Sequence, residues 1–230
     1  ATGQQGEQTA TGPKMGGVLK VAVGADYPSF DPHITTDNLV QQIGYHLYES
    51  LFTLDEDYKV IPMLATGYDY DEETLTYVIP LREGVKFHNG KIMTADDVVA
   101  SLNRWLRISN TGAILKPSVK EIKKVDDLII AIELNEPNAA VPMFLSNPRY
   151  QAVIYPKEVV DEAGDKPIKQ IIGTGPYKFV EHKADQYARV VRFDDYCALD
   201  GPPNGWGGKK IAYLDEIRFI PTPEASVRLE

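Results

Sequence analysis

The sequence predicts a mixed α/β fold, because two apolar periods take turns along it. Apolar residues alternate with a period of two near 18–23, 75–81, 128–134 and 188–193, and at helical spacing within 36–51 and 94–106. Composition agrees: 43% of the 230 residues are hydrophobic and 25% are charged, which suits a globular chain with ample length for a core.

Residues 1–15 open with twelve small or polar positions and bury too little to order themselves. They read as a disordered polar tether, of the kind left when a signal or a lipid-anchored cysteine is removed; a frayed terminus is the competing reading. Order begins near Gly17. The run 18–23 suits a strand buried on both faces, and Asp26-Tyr27-Pro28-Ser29-Phe30-Asp31-Pro32-His33 forms the loop after it. From Thr36 the spacing is helical, with Leu39, Ile43, Leu47 and Leu51 every four residues.

Residues 75–87 alternate as a strand bent at Pro80 or Gly84, and Asn89-Gly90 is a turn pair. Thr94 stands three residues before Asp97, a capping box opening a helix whose buried stripe is Val98, Leu102, Trp105 and Leu106. A hairpin over 119–134 turns at Asp126-Asp127, and a short helix follows at 139–145. Residues 151–155 read as an apolar strand, Pro156 as a helix start and Gly164 as its end. Strands at 177–180, 188–193 and 211–220 close the pattern, the last after a Gly- and Pro-rich loop. Thr222-Pro223-Glu224 starts a helix with only six residues left to extend it, which reads as a truncated fragment.

Several function classes find no support. The net charge of −9 opposes nucleic-acid binding. No run of eighteen apolar residues is present, and the single Cys197 permits no intrachain disulfide. The four histidines form no i,i+4 pair and have no cysteine partner, so no metal site and no cofactor is expected. Gly173-Thr174-Gly175 lacks the ending of a phosphate loop and reads as a turn whose glycines supply positive φ. No serine lies in a nucleophile elbow and no carboxylate pair has an acid/base context, so no catalytic residue is nominated. His33 is a ligand candidate by its place after the first strand.

Four blocks carry a family resemblance. Ser29–His33 precedes Leu47-Tyr48-Glu49-Ser50-Leu51; Leu81-Arg82-Glu83-Gly84-Val85-Lys86-Phe87-His88-Asn89-Gly90 precedes Thr94–Val99; Gly173-Thr174-Gly175-Pro176-Tyr177 is followed by Asp195-Tyr196; and Leu214–Phe219 closes the series. Over about Gly17 to Leu229 the chain resembles the family 5 extracellular solute-binding proteins, which serve dipeptide, oligopeptide, nickel and related ABC importers. It departs from that pattern at Asp194-Asp195, at Cys197 and in an insertion from Pro202 to Lys210.

The resemblance implies a type II periplasmic-binding-protein-like fold. Lobe I would combine 16–54 with 151–230, lobe II would be the inserted 55–150, and a third lobe would lie beyond Glu230. It implies a monomeric, extracytoplasmic receptor, soluble in the periplasm or lipid-anchored, that captures a peptide or small-molecule solute by hinge closure and delivers it to the membrane subunits of an ABC permease. A periplasmic hydrolase and a sensor or chaperone reuse of the scaffold are the alternatives. The ligand-binding positions implied are Tyr27, His33, Thr35 and Thr36 after the first strand, with Asn147, Arg149 and Tyr150 in a second loop. Arg149 suits a bidentate carboxylate contact, and an exposed loop arginine is the equal alternative.

Overall fold

In the computed structural model, residues 12–224 and Ser226 are described. The expected tether lies largely outside these residues, and so does the body of the helix expected after Thr222. In chain order the elements are β1 (Val18–Val23), α1 (Asn38–Leu47), β2 (Phe52–Leu54), β3 (Val60–Pro62), β4 (Asp69–Asp71), β5 (Thr76–Pro80), α2 (Ala95–Ile108), α3 (Asn110–Leu115), β6 (Val119–Asp126), β7 (Ile129–Leu134), α4 (Val141–Ser146), α5 (Lys157–Ala163), β8 (Tyr177–Lys183), β9 (Tyr187–Arg192) and β10 (Glu216–Pro221). One four-stranded sheet has the order β1-β10-β9-β8, with β1 parallel to β10; a second has the order β4-β5-β7-β6; β2 and β3 form a small hairpin.

Local chemistry accounts for most of these boundaries. The capping box forms as the spacing predicts: the Thr94 side chain accepts at the third helical residue, and Asp97 accepts from the Thr94 N–H at 2.9 Å. Val98, Leu102, Trp105 and Leu106 are all buried. Asp37 caps α1 by accepting from the Leu39 N–H at 2.8 Å. The Asn89-Gly90 turn closes with Gly90 at φ 86°, which only glycine adopts freely.

Two hydrophobic cores result. One gathers Leu51, Phe52, Phe87, Leu102, Trp105, Ile130, Ile132 and Leu145. The other gathers Ile43, Leu47, Val160, Val190, Ile217 and Phe219. Residues 151–155 run between them, with Ala152 and Ile154 packing into the first and Val153 and Tyr155 into the second. This segment is extended but is not a strand of either sheet; Ile154 instead donates to the Glu49 carbonyl at 3.1 Å.

The first strand differs from expectation. β1 is an edge strand hydrogen-bonded only to β10, and of its residues only Val23 is buried, with Val18 55% and Leu19 44% exposed. Its alternating apolar residues state a strand, but not how many neighbours cover it. The last strand is also shorter than expected, beginning at Glu216 rather than at 211.

Candidate functional site

The loop after β1 contains the most constrained cluster of the chain. Asp31 and Arg104 are both fully buried and pair at 2.7 Å. Every donor of the Arg104 guanidinium is used: Nε to the Gly164 carbonyl, one terminal nitrogen to Asp31 Oδ1 and His33 Nδ1, the other to Asp31 Oδ2 and the Lys166 carbonyl. Asp31 also accepts from the Tyr155 hydroxyl at 2.9 Å and from the N–H groups of His33 and Ile168, both at 3.1 Å. Burial pushes the Asp31 pKa up, but the hydrogen bonds of Arg104 and the charges around it hold it below the usual range. An ion pair this buried persists only with such saturation.

His33 belongs to this cluster. Because Arg104 can only donate, His33 Nδ1 accepts from it at 3.2 Å, and Nε2–H therefore donates to the Val153 carbonyl at 3.0 Å. Both ring nitrogens are engaged and the side chain is 1% exposed. Tyr27 is likewise buried, its ring stacked on Phe30 at 5.3 Å and edge-on to Phe219. The loop turns both rings inward, yet His33 borders a narrow recess shared with Thr35, Thr36 and Tyr150, and Tyr27 borders a groove with Phe30, Phe179 and His182.

Burial lowers the pKa of His33 from 6.5 to about 4, and the same holds for His88. The unfolded chain thus binds more protons between these values, so stability is complete above pH 6.5 and is lost as pH falls towards 4. Thermal unfolding at pH 7 and pH 4.5 should show a drop in midpoint. His33→Asn should flatten that slope, and an unchanged slope would show that His33 does not titrate in this window.

The other expected contacts divide. An open cleft of about 530 Å³ is lined by Thr36, Asn110, Thr111, Ile114, Met143, Phe144, Asn147 and Tyr150. A narrow recess beside it adds His33, Thr35 and Ser109 to Thr36, Asn110 and Tyr150. The structure thus brings Thr35, Thr36, Asn147 and Tyr150 to one place. Arg149 lies apart, in a groove with Asn38, Gln42, Tyr45 and Trp206, and its guanidinium sits 5.8 Å from the Tyr150 ring centre.

Sequence reasoning missed the α3 side of the cleft. After α2, Ser109 leaves the helical conformation and its hydroxyl accepts from the Gly112 N–H at 3.3 Å, starting a new helix. That cap turns Asn110, Thr111 and Ile114 towards the Asn147 loop, and Ser109-Asn110-Thr111-Gly112 was the readable signal. Ile114 is 68% and Met143 46% exposed, so the cleft has an apolar wall open to solvent. Among the described residues, the Thr36 hydroxyl, the Asn110 amide and the Tyr150 hydroxyl make no hydrogen bond to the protein. No charged side chain among the described residues lines this cleft.

The sequence blocks fasten to one another, the last of them through the Leu214 N–H, which donates to the Tyr177 hydroxyl at 3.2 Å. Glu49 is 2% exposed and accepts from the Tyr196 hydroxyl at 2.7 Å and the Thr174 hydroxyl at 3.0 Å. His88 accepts from the Gly173 N–H at 3.2 Å and its Nε2 donates to the Gly175 carbonyl at 3.0 Å, while its own N–H reaches the Gly173 carbonyl. Arg82 donates to the carbonyls of Cys197 and Ala198 at 2.7 and 3.2 Å and to the Cys197 sulfur at 3.3 Å, which leaves that thiol partly buried. The two glycines of the 173–177 turn are not in the left-handed region. They are required for space: a Cβ on Gly173 would stand 2.0 Å from the Leu47 carbonyl oxygen, and one on Gly175 2.5 Å from that of His46.

With these blocks placed, the sequence profile of the bacterial extracellular solute-binding proteins, family 5 middle, matches residues 59–230. The chain belongs to this family. It is 34% identical over 213 residues to the glutathione-binding protein GsiB of Pectobacterium atrosepticum, covering 90% of this chain and 38% of that protein. It is 32% identical over 207 residues to a probable peptide ABC transporter periplasmic-binding protein of Sinorhizobium fredii, covering 86% and 38%. Among solved structures it resembles the periplasmic binding protein DppA of Helicobacter pylori in complex with the peptide STSA, with TM-score 0.76, 28% identity, and 94% of this chain covered against 45% of that one. The oligopeptide-binding protein AppA of Bacillus subtilis, in complex with a nonapeptide, gives 0.75 and 28%, with coverage of 94% and 42%. The chain therefore spans about two-fifths of the length of these proteins. The type II binding-protein fold expected from the sequence is the fold observed.

Proposed function

We propose that the chain contributes one wall of the solute cleft in an extracytoplasmic receptor of an ABC importer, with a peptide-like solute. The observation that carries this reading is the neutral cleft of Thr36, Asn110, Asn147 and Tyr150, in which the Thr36 hydroxyl, the Asn110 amide and the Tyr150 hydroxyl have no protein partner among the described residues and stand beside an apolar wall. Relatives described as binding peptides and glutathione support the solute class.

The cleft offers amides, hydroxyls and an apolar wall, which suit the backbone amides and uncharged side chains of a short peptide. With no cation or anion on this wall, the solute's terminal charges are read by residues beyond those lining it. The two cores, which meet along residues 151–155, support a division into lobes at 16–54 with 151–230 and at 55–150. Capture then proceeds by closure of a further lobe over this wall, and the closed form engages the permease. No feature of the site favours hydrolysis.

A protein that holds its solute this way is stabilised in proportion to RT ln(1 + [L]/Kd), about 2.7 kcal/mol at a hundredfold excess over Kd. Thermal unfolding of the full-length receptor against di- to tetrapeptides and glutathione should show such a shift, with little shift for residues 1–230 alone. Tyr150→Ala should weaken the binding about tenfold. Equal binding by the 230-residue chain, or an indifferent Tyr150→Ala, would sink the one-wall reading.

A further inference from the structure

A second cavity, of about 350 Å³, opens between α1, the β2–β3 hairpin, residues 146–153 and the loop at 203–211. It shares no lining residue with the Thr36–Tyr150 cleft. Its loop side is formed by Pro203, Gly205, Trp206, Gly207, Lys209, Lys210 and Ile211, within the Gly- and Pro-rich stretch before β10. The loop is fastened in place: the Trp206 N–H donates to the Leu54 carbonyl at 2.9 Å, and Asn204 accepts from the Glu56 N–H at 3.2 Å.

The sign of the cavity is unusual for this protein. Lys209 and Lys210 line it and no Asp or Glu does, in a chain of net charge −9. Arg149 stands in the adjoining groove, which shares Tyr45, Pro148 and Trp206 with it. Lys210 is the informative residue. Its side chain is 26% exposed, and its nearest carboxylate is Glu49 at 4.0 Å, beyond hydrogen-bond reach. Glu49 is already committed to Tyr196 and Thr174. Burial lowers the Lys210 pKa and the charge of Glu49 opposes this, and the partly buried ammonium has no acceptor within hydrogen-bond distance among the described residues. Such a group gains from an anion that brings one. At the mouth, the Tyr45 and Trp206 rings lie 4.6 Å apart, and Trp206 is 42% exposed.

We propose that this cavity is a binding site for a small organic carboxylate, whose anionic end pairs with Lys210 and whose flat apolar body lies against Trp206 and Tyr45. The site is separate from the solute cleft and does not depend on the peptide reading of it. It gives the receptor a second ligand of a different chemical class, held by the loop at 203–211 on the flank of α1.

The test uses benzoate, with benzamide as its uncharged match. Trp105 is fully buried, so changes in the tryptophan emission of the 230-residue chain report Trp206. Benzoate should give a saturable change, with benzamide and the Lys210→Met variant each weaker by about tenfold or more. Lys210→Arg should retain binding, since it keeps the charge. No saturable response at millimolar benzoate, an equal response to benzamide, or equal losses in Lys210→Met and Lys210→Arg would each overturn the proposal. Tyr150→Ala, which disables the solute cleft, should leave benzoate binding unchanged.

Discussion

Replacing Arg104 with alanine should cost about 3–5 kcal/mol of folding stability, read as a fall in the urea midpoint at unchanged slope. The substitution leaves Asp31 buried with its charge unpaired, and the carbonyls of Gly164 and Lys166 and the Nδ1 of His33 lose their donors at the same time. The four groups come from the loop after β1 and from the residues after α5, and Arg104 itself comes from α2, so the loss reaches across both cores. Asp31→Leu should be nearly as costly, since it strands the guanidinium and the N–H groups of His33 and Ile168. Combined, the two changes should cost less than their sum, because each single variant already forfeits the shared ion pair. A loss below about 1 kcal/mol for Arg104→Ala, the range of an exposed pair, would show that the cluster is not the clamp its geometry describes.

That cluster also marks where the sequence stopped being legible. The loop at 26–33 was readable as a loop after a strand, and a loop at that place suggests ligand contact. Nothing in its residue order says that His33 and Tyr27 turn inward, because their partners, Arg104, Val153 and Phe219, are tens of residues away. Just past the cluster, Thr36 lines the cleft and Thr35 the recess beside it. Period-based features fared better: the Thr94–Asp97 box, the stripe of α2 and the β6–β7 hairpin depend on neighbours within a few residues. β1 fails for the converse reason, since an alternating run looks alike at the edge and in the middle of a sheet. On the cleft's other wall, residues 107–118 went unread, and Asn110, Thr111 and Ile114 went unseen with α3.

The glycines of the 173–177 turn carry the last of these distinctions, between conformation and space, and a pair of alanine variants separates them. Gly90 has φ 86°, and a Cβ added there would meet nothing within 4 Å, so Gly90→Ala should cost about 1–2 kcal/mol of backbone strain. Gly173 has an ordinary backbone, but a Cβ there would meet the Leu47 carbonyl oxygen at 2.0 Å and Tyr48 Cδ1 at 2.5 Å. Relief requires moving the end of α1, and that end carries Glu49, whose carboxylate holds Thr174 and Tyr196. Gly173→Ala should therefore cost roughly 3 kcal/mol or more, the upper range for overpacking a core. His88 strengthens the argument, because its three bonds to Gly173 and Gly175 fix the turn from the opposite side and leave it no direction in which to yield. Urea unfolding of the two variants gives the order directly. If Gly90→Ala proves the more damaging, conformation rather than close approach governs these turns, and the fastening of the first three blocks around Glu49 and His88 is looser than their distances imply.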